Sequence, residues 1–353
     1  PQKVVEKLGD AWVKKENYVG NGAYKLANHI VNEKIEFERN PLYWNDKETV
    51  INSATFLAIE NPSTDVARYR AGDLDMTNYA LPPEQFAKLQ KELPGEVFTT
   101  RTLATYSYEL NNKKAPFDNV NVRKALNLSL DRNVITDKVL GQGQTPTYVF
   151  TPTYIEEGHL IQQPAYSKEP MAQRNEEAIK LLEEAGYSKA NPLKFSILYN
   201  TNENHKKVAI AAASMWKANT KGLIDVKLEN QEWKTYIDSR RAGRYDAARA
   251  GWNADYNQAT TFGNYFLSNS SNNTAKYANP EYDKAIAESY VATDAEGRAK
   301  AYAKAEEILA KDFGIVPIFN YVNPRLVKPY VKGYSGKDPQ DHIYLRNLYI
   351  IKH

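Results

Sequence analysis

The sequence predicts an α/β protein with more than one domain, and three observations support this prediction. The chain has 353 residues, which exceeds the size of one ordinary hydrophobic core. Residues 193–251 alternate short β-rich runs with helical patterns, as consecutive βαβ units do. No repeat with a period of about 20–50 residues is visible, which excludes a solenoid. We therefore expect two lobes, with parallel strands in the segment 193–251.

The composition excludes several classes of protein. The net charge is +3, from 46 basic and 43 acidic residues, and this balance does not indicate a nucleic-acid partner. Cysteine is absent, so disulfides, thiolate nucleophiles and cysteine-ligated metals are excluded. No apolar run approaches the ~20 residues of a membrane helix. The 25 tyrosines stand out, because tyrosine suits both ordinary cores and surfaces that grip varied ligands.

The first third of the chain alternates strand and helix patterns. Ser63 is expected to cap a helix that ends before Gly72, and the apolar spacing of Phe86, Leu89 and Leu93 predicts the next helix. Gly20 and Gly22 lack the third glycine and the following helix of a phosphate-binding loop. Residues 20–26 form a turn that runs into an alternating pattern. The predicted strands are 35–39, 54–59, 73–77 and 97–110, and the predicted helices are 63–71 and 83–93.

The remaining two thirds of the chain repeat the same alternation. Helical spacing over 122–139 has a break near Asp131, and Gly186 closes a helix over 175–185. Pro317 predicts that the strand containing it lies near a sheet edge or a bulge. Further strands are expected at 193–199, 223–228, 244–250 and 314–321, further helices at 205–219, 233–241, 280–291 and 296–311, and short β segments in the tail 326–353.

The run 247–257 is the strongest candidate for a ligand-binding site. It combines a cation, Arg249, with a flat apolar ring, Trp252, and an anion, Asp255. Gly251 has no side chain, so that another backbone could approach this strand closely. Ligands of parallel sheets bind at the carboxyl ends of the strands, and both Asp255 and His205 directly follow a predicted strand. One extended zwitterionic ligand could use these groups together.

Ordinary structural roles are also open for each of these residues. Arg249 and Asp255 could form an internal salt bridge or lie at a solvated strand end, and Trp252 could simply fill the core. Arg240 closes a helix, where a cation complements the macrodipole and needs no ligand. His205 opens a helix, which is an unfavourable place for an imidazolium, and this conflict favours a functional role.

Catalytic and metal-binding motifs are missing. There is no Gly-x-Ser-x-Gly elbow, Ser-x-x-Lys, Walker loop or His-Glu-x-x-His motif. The histidines are scattered, and no acidic cluster has metal-ligand spacing. Asp73 and Asp75 alternate with Leu74 on a predicted strand, so they indicate an exposed strand end rather than a catalytic pair. We therefore predict a protein that is not an enzyme and that uses neither a cofactor nor a metal.

Several longer stretches resemble the periplasmic oligopeptide-binding proteins of bacterial ABC importers, the OppA family. They are 230–236 (NQEWKTY), 249–257 (RAGWNADYN), 270–275 (SSNNTA), 326–330 (LVKPY) and 349–353 (YIIKH), and the likeness extends over nearly the whole chain. The resemblance implies a fold like that of the type II periplasmic binding proteins, with two lobes joined by a hinge that the chain crosses twice. It places residues 1–103 and 323–353 in the first lobe and 104–322 in the distal, ligand-binding lobe.

The resemblance also implies a function and a set of site residues. It predicts a periplasmic receptor that captures short oligopeptides by their backbone and terminal charges and delivers them to the membrane permease of an ABC importer. Asp255 is expected to bind the peptide ammonium, while Arg249, Arg240 and His205 receive carboxylates of peptides of different lengths. Strand-like backbone bonds would come from Gly251, Trp252 and Asn253, and side-chain pockets would be lined by Glu109, Asn272 and Tyr321.

Two departures from the family pattern qualify these expectations. Residues 78–80 read Asn-Tyr-Ala where relatives commonly carry Tyr-Asn-Asn, and tyrosines expected near Thr102 and Ser107 are missing, so pocket preferences are expected to differ. Family members are longer at the N-terminus, so we expect this chain to be a part of the mature receptor. We also expect the receptor to be a monomer. A receptor for murein tripeptide or another small solute is the alternative function, and a peptidase is a third.

Overall fold

The computed structural model describes residues 1–353, which form two compact units. The first unit contains Pro1–Phe98 and Pro324–His353, and the second contains Thr99–Asn323. The chain passes between the units at 98/99 and 323/324. The predicted boundary at 103/104 lies five residues after the first of these points, and the one at 322/323 lies one residue before the second. No helix is both long enough and apolar enough to cross a membrane.

Strands and helices alternate along the chain. The strands are β1 (Tyr24–Ile30), β2 (Lys34–Arg39), β3 (Ser53–Leu57), β4 (Val97–Leu110), β5 (Thr145–Pro146), β6 (Leu193–Asn200), β7 (Ile224–Gln231), β8 (Ala247–Asn253), β9 (Ile315–Leu326), β10 (Val331–Lys332) and β11 (Tyr349–Ile350). The α-helices are α1 (Gln2–Leu8), α2 (Pro62–Ala71), α3 (Pro83–Glu92), α4 (Val120–Leu128), α5 (Met171–Glu184), α6 (Glu203–Asn219), α7 (Trp233–Arg241), α8 (Thr260–Gly263), α9 (Pro280–Val291) and α10 (Ala295–Lys311). A π-helix spans Val134–Leu140.

The first unit combines an antiparallel sheet in the order β1-β2-β3 with a small core under α2 and α3. Asn61, not Ser63 as predicted, caps α2: its Oδ1 accepts from Ser63 N at 2.8 Å, because the helix begins two residues earlier at Pro62. Gly72 ends this helix with φ 88°, as its position in the sequence predicts. The predicted strand 73–77 is reduced to a single bridge between Met76 and Val327.

The second unit is built on a six-stranded sheet in the order β5-β9-β4-β8-β6-β7. As predicted, β6, β7 and β8 are parallel to one another, while β8 is antiparallel to β4. The main core packs against this sheet and includes the fully buried Trp216, whose Nε1 donates to Leu126 O at 2.9 Å. The predicted helical segment 122–139 is divided into α4 and the π-helix.

Candidate functional site

The open edge of β8 is the feature around which the candidate site is built. Strand β8 pairs with β4 along its whole length, from Ala247 opposite Leu110 to Asn253 opposite Ala104. On its other side it pairs with β6 only at Ala247 and Ala248. The sequence predicted that this strand stops at Ala250, but it continues to Asn253, so its last residues extend beyond β6 and leave one edge unpaired.

Alternation along β8 determines which backbone groups point to this open edge. Ala254 N donates to Leu103 O at 2.8 Å on the β4 side, whereas Arg249 O accepts a hydrogen bond from the Tyr236 hydroxyl on the other side. In an antiparallel pair, successive residues direct their N–H and C=O groups to opposite edges. Gly251 and Asn253 therefore point away from β4. Trp252, which we expected to offer backbone bonds as well, points towards β4.

Arg249 is a partly buried cation without an acidic partner. Its Nη2 donates to the Tyr321 hydroxyl, and its Nη1 donates to Asn200 Oδ1 at 3.4 Å. Its Nε is buried and has no hydrogen-bond partner. Burial alone would lower the pKa of Arg249, but the electrostatic influence of the surrounding tyrosines, Tyr321 first, raises this pKa above its ordinary value. The guanidinium is charged and its charge is not neutralised within the site.

Gly251 makes room for this guanidinium. A Cβ atom at position 251 would lie 2.9 Å from both Arg249 Nη2 and the Tyr321 hydroxyl oxygen. The Arg249 side chain therefore runs along the strand and places its charge over Gly251. We expected this glycine to allow the close approach of a ligand, and the structure shows that it also makes room for internal packing.

We expect Gly251→Ala to lower the free energy of unfolding by about 1–3 kcal/mol, the usual cost of an added methyl group in a filled site. Denaturant titration measures this change. Gly22→Ala is the matched control, because the nearest atom to a Cβ there is Tyr24 O at 4.0 Å. An equal effect of the two substitutions would show that Gly251 does not hold Arg249 and Tyr321 in place.

His205 and Tyr106 complete the surroundings of Arg249. Tyr106 lies on β4 directly opposite Gly251, with its ring centroid 5.2 Å from Arg249 Cζ and 5.6 Å from the His205 ring. Asn202 caps α6 by accepting from His205 N at 3.2 Å, which fixes the start of this helix. Burial and the charge of Arg249 lower the pKa of His205 well below its usual value. The imidazole is therefore neutral at physiological pH and can act as a hydrogen-bond donor, not as a cation.

Arg240 and Glu109 are paired with each other. Arg240 Nη2 donates to Glu109 Oε2 at 3.0 Å, and only 10% and 1% of their side-chain surfaces are exposed. The other Glu109 oxygen accepts from the Tyr265 hydroxyl at 2.6 Å, and the Thr274 hydroxyl donates to Glu109 Oε2. Burial lowers and Glu109 raises the pKa of Arg240, with a net increase. In this structure the two charges neutralise each other inside the second unit, and the ligand contacts expected of both residues stay predictions.

Asp255 lies just beyond the end of β8 and is exposed. It forms no ion pair with Arg249. Thr261 fixes this end of the strand, because its Oγ1 accepts from Asp255 N at 3.2 Å and its carbonyl oxygen accepts from Trp252 Nε1 at 2.9 Å. The Trp252 ring packs on Tyr265 with centroids 4.8 Å apart, which is a packing role rather than a free platform. The carboxylate of Asp255 is thus available to a ligand.

The structure brings together most, but not all, of the predicted residues. Arg249, His205 and Tyr321 converge on Tyr106, which the sequence analysis did not select. Asn272 lies in an exposed loop and contacts Ser270 through its backbone N–H at 3.3 Å. Residues that the sequence analysis missed hold the site in place: Tyr106, Asn200, Tyr236 and Thr261. The alternating pattern of β4, which directs Tyr106 and Tyr108 to one face, was the only available signal for Tyr106.

No group of three or more histidine, cysteine or acidic side chains is placed to hold a metal ion. The chemistry that the site can offer is therefore hydrogen bonding and charge: an unpaired strand edge, a recessed guanidinium and an exposed carboxylate. These groups suit a ligand that has a polar backbone and opposite charges at its two ends.

Comparisons with known proteins show the family to which the chain is similar. Residues 1–274 match the bacterial extracellular solute-binding proteins, family 5 Middle. The chain is 96% identical over 353 residues to the periplasmic oligopeptide-binding protein OppA of Haemophilus influenzae, a match that covers 100% of this chain and 65% of that protein. It is 43% identical over 352 residues to the periplasmic murein peptide-binding protein MppA of Escherichia coli, with 100% and 65% covered.

A solved structure gives the same result. The crystal structure of Haemophilus influenzae OppA in complex with RPPGFSPFR superposes with a TM-score of 0.97 at 96% identity, over 100% of this chain and 69% of that one. This likeness confirms the predicted α/β fold of the type II periplasmic binding proteins and the resemblance seen in the sequence. The chain spans about two thirds of the length of these two curated relatives, 65% in each case.

Proposed function

Since this chain belongs to the bacterial extracellular solute-binding proteins of family 5, we propose that it forms the ligand-binding part of a periplasmic receptor for oligopeptides. The receptor captures peptides by their backbone and terminal charges and delivers them to the membrane permease of an ABC importer. The names of the relatives, an oligopeptide-binding and a murein peptide-binding protein, support peptides as the ligand class.

The open edge of β8 between two unpaired charges carries this proposal. Backbone N–H and C=O groups of Gly251 and Asn253 face that edge, and they can pair with ligand residues that are two positions apart. Asp255 attracts an ammonium group at one end, and Arg249 attracts a carboxylate at the other. A peptide bound in this way runs antiparallel to β8. Any peptide offers these groups, so that recognition does not depend on side chains.

The position of the guanidinium suggests which peptides span both charges. Because Arg249 places its charge over Gly251, four residue steps along the chain separate that point from Asp255, which corresponds to at most about 13–14 Å. A tripeptide or tetrapeptide fills this span. The nine-residue peptide RPPGFSPFR, bound by the Haemophilus influenzae relative, is longer. A peptide of that length with its amino end at Asp255 must place its carboxylate beyond Arg249.

Three of the predicted ligand contacts take other roles in this proposal. Arg240 and Glu109 act as an internal ion pair of the second unit, since the two charged groups are 3.0 Å apart and satisfy each other. His205 acts as a neutral donor beside Arg249, since its pKa is lowered. Arg249 is then the principal carboxylate receptor for short peptides.

We expect Asp255→Asn to weaken the binding of a tripeptide about 10- to 100-fold, because a charge-assisted hydrogen bond to the ammonium is lost. The matched ligand is the N-acetylated tripeptide, which has no ammonium and should bind the native protein and the variant equally. Isothermal titration calorimetry on the protein at its full natural length measures all four affinities. If acetylation costs the variant as much as it costs the native protein, Asp255 does not bind the amino end.

The same titrations separate the alternative functions. Preferential binding of D-configured or cross-wall peptides over linear L-peptides would favour the murein receptor. The higher identity to the oligopeptide-binding relative, 96% against 43%, favours linear oligopeptides. Mass spectrometry of the titrated peptides shows whether they remain intact, and cleavage products would indicate a peptidase.

A further inference from the structure

Tyr236 is a buried side chain that contacts the candidate site from behind. It lies on α7 and is fully buried, in a cluster with Leu198, Tyr245 and Ala248. Its ring stacks on Trp233 with centroids 5.8 Å apart and an interplanar angle of 30°. These contacts fix the direction of the ring. Its hydroxyl donates to the carbonyl oxygen of Arg249.

This hydrogen bond occupies a special position on β8. Pairing with β6 ends at Ala248, so the carbonyl of Arg249 is the first group on the open edge that no strand can satisfy. Tyr236 takes the place of the missing strand at that point. The backbone of Arg249 is thus held by the pairing of β8 with β4 on one side and by Tyr236 of α7 on the other, while the tip of its side chain is held by Tyr321 over Gly251.

The two contacts together define where the guanidinium lies. An arginine side chain has several rotatable bonds, and its tip is placed only if both its backbone and its guanidinium are fixed. The Nε atom of Arg249 has no partner, so the side chain between these two ends is otherwise unrestrained by hydrogen bonds. A small movement of the Arg249 carbonyl would shift the charge relative to Gly251 and Asn253.

We propose that Tyr236 is a positioning residue for the recognition of the peptide carboxylate: by binding the Arg249 carbonyl it holds the guanidinium at the end of the ligand-pairing edge. This inference rests on the proposed function, in which Arg249 receives the carboxylate. Tyr236 does not touch the ligand. Because its hydroxyl already occupies the Arg249 carbonyl, only Gly251 and Asn253 remain to form backbone hydrogen bonds with the ligand.

The test compares Tyr236→Phe with a matched control. Tyr245→Phe also removes a hydroxyl that donates to a backbone carbonyl, Thr274 O at 2.6 Å, and it lies in the same cluster. Calorimetry on the full-length protein measures the affinities of trialanine, its C-terminal amide and its N-acetyl form. Tyr236→Phe should reduce the preference for the free acid over the amide about five- to tenfold, the effect of one hydrogen bond. The preference for the free amine over the acetylated form should not change.

The outcomes are distinct. A purely structural role of Tyr236 would reduce both preferences equally, or neither, and either result overturns the proposal. The proposal is also overturned if Tyr245→Phe loses as much of the preference for the free acid over the amide as Tyr236→Phe does. Incorporation of 4-aminophenylalanine at position 236 restores a hydrogen-bond donor and should restore the preference for the free acid over the amide. This variant also tests the proposal if the phenylalanine variant does not fold. If the native protein binds trialanine and its C-terminal amide equally well, Arg249 does not receive the carboxylate and the proposed function fails at this point. The measurement on the native protein shows this before any variant is made.

Discussion

Replacing Arg249 by methionine is expected to weaken the binding of tripeptides and tetrapeptides by about 2–5 kcal/mol, the loss typical of truncating one partner of a desolvated charge pair. The ligand carboxylate would then enter a site that offers only Tyr321, Asn200 and the neutral His205. Methionine replaces the apolar stem of the arginine side chain but carries no charge and does not reach the position of the guanidinium over Gly251. Calorimetric titration with free acids and C-terminal amides measures the effect, and the variant should no longer distinguish the two.

A longer peptide provides the control within the same protein. The peptide RPPGFSPFR exceeds the span between Asp255 and the guanidinium, so its affinity should fall much less than that of a tripeptide. The fold should not suffer, because Arg249 has no carboxylate partner whose charge would be left unpaired. A loss of the same size for peptides of three and nine residues would contradict the assignment of Arg249 to the carboxyl end.

Replacing Arg240 by methionine is expected to lower the free energy of unfolding by about 3–5 kcal/mol, the effect of removing one member of a buried ion pair. Glu109, which has no exposed surface, would be left as an uncompensated charge beside Tyr265 and Thr274. Chemical denaturation measures this change. Arg249→Met is the matched comparison, since it removes the same cation from the same unit and should cost far less stability.

A second substitution tests the cause of this loss. Glu109→Gln removes the charge that Arg240→Met leaves unpaired. The glutamine carbonyl oxygen can still accept from one of the Tyr265 and Thr274 hydroxyls, while its NH2 group donates to the other hydroxyl oxygen. The double variant should therefore recover part of the stability that the single variant loses. If Arg240→Met is as stable as the native protein and instead loses affinity for tripeptides, Arg240 is a ligand contact, as the sequence resemblance implied, and the ion pair is incidental.

Local patterns in the sequence predicted the scaffold of the site well. The alternation of β6, α6, β7, α7 and β8 follows from short-range periodicity, so their order and parallel pairing could be foreseen. The position of His205 and Asp255 at the carboxyl ends of strands followed from the same argument. Arg249 was recognisable because a strand interior rarely carries an unexplained cation.

Long-range pairing could not be predicted. Arg240 and Glu109 are 131 residues apart in the chain, and nothing near either residue shows that they meet. The same holds for Arg249 and Tyr321, which are 72 residues apart. The end of β8 was misplaced because the free edge beyond β6 is a property of the sheet, not of the strand's own sequence. Nothing in the sequence of α7 indicates that Tyr236 reaches this edge.

The unequal exposure of Asp255 and Arg249 has a consequence for how a peptide is held in salt solutions. Mobile ions screen charges that are in contact with water over distances of about 8 Å at physiological ionic strength, and they act much less on recessed charges. The attraction at Asp255 thus weakens as salt is added, while that at Arg249 largely persists. Under the proposed function we expect both ends of the peptide to be held at low ionic strength, and the carboxylate end to be the dominant anchor in concentrated salt.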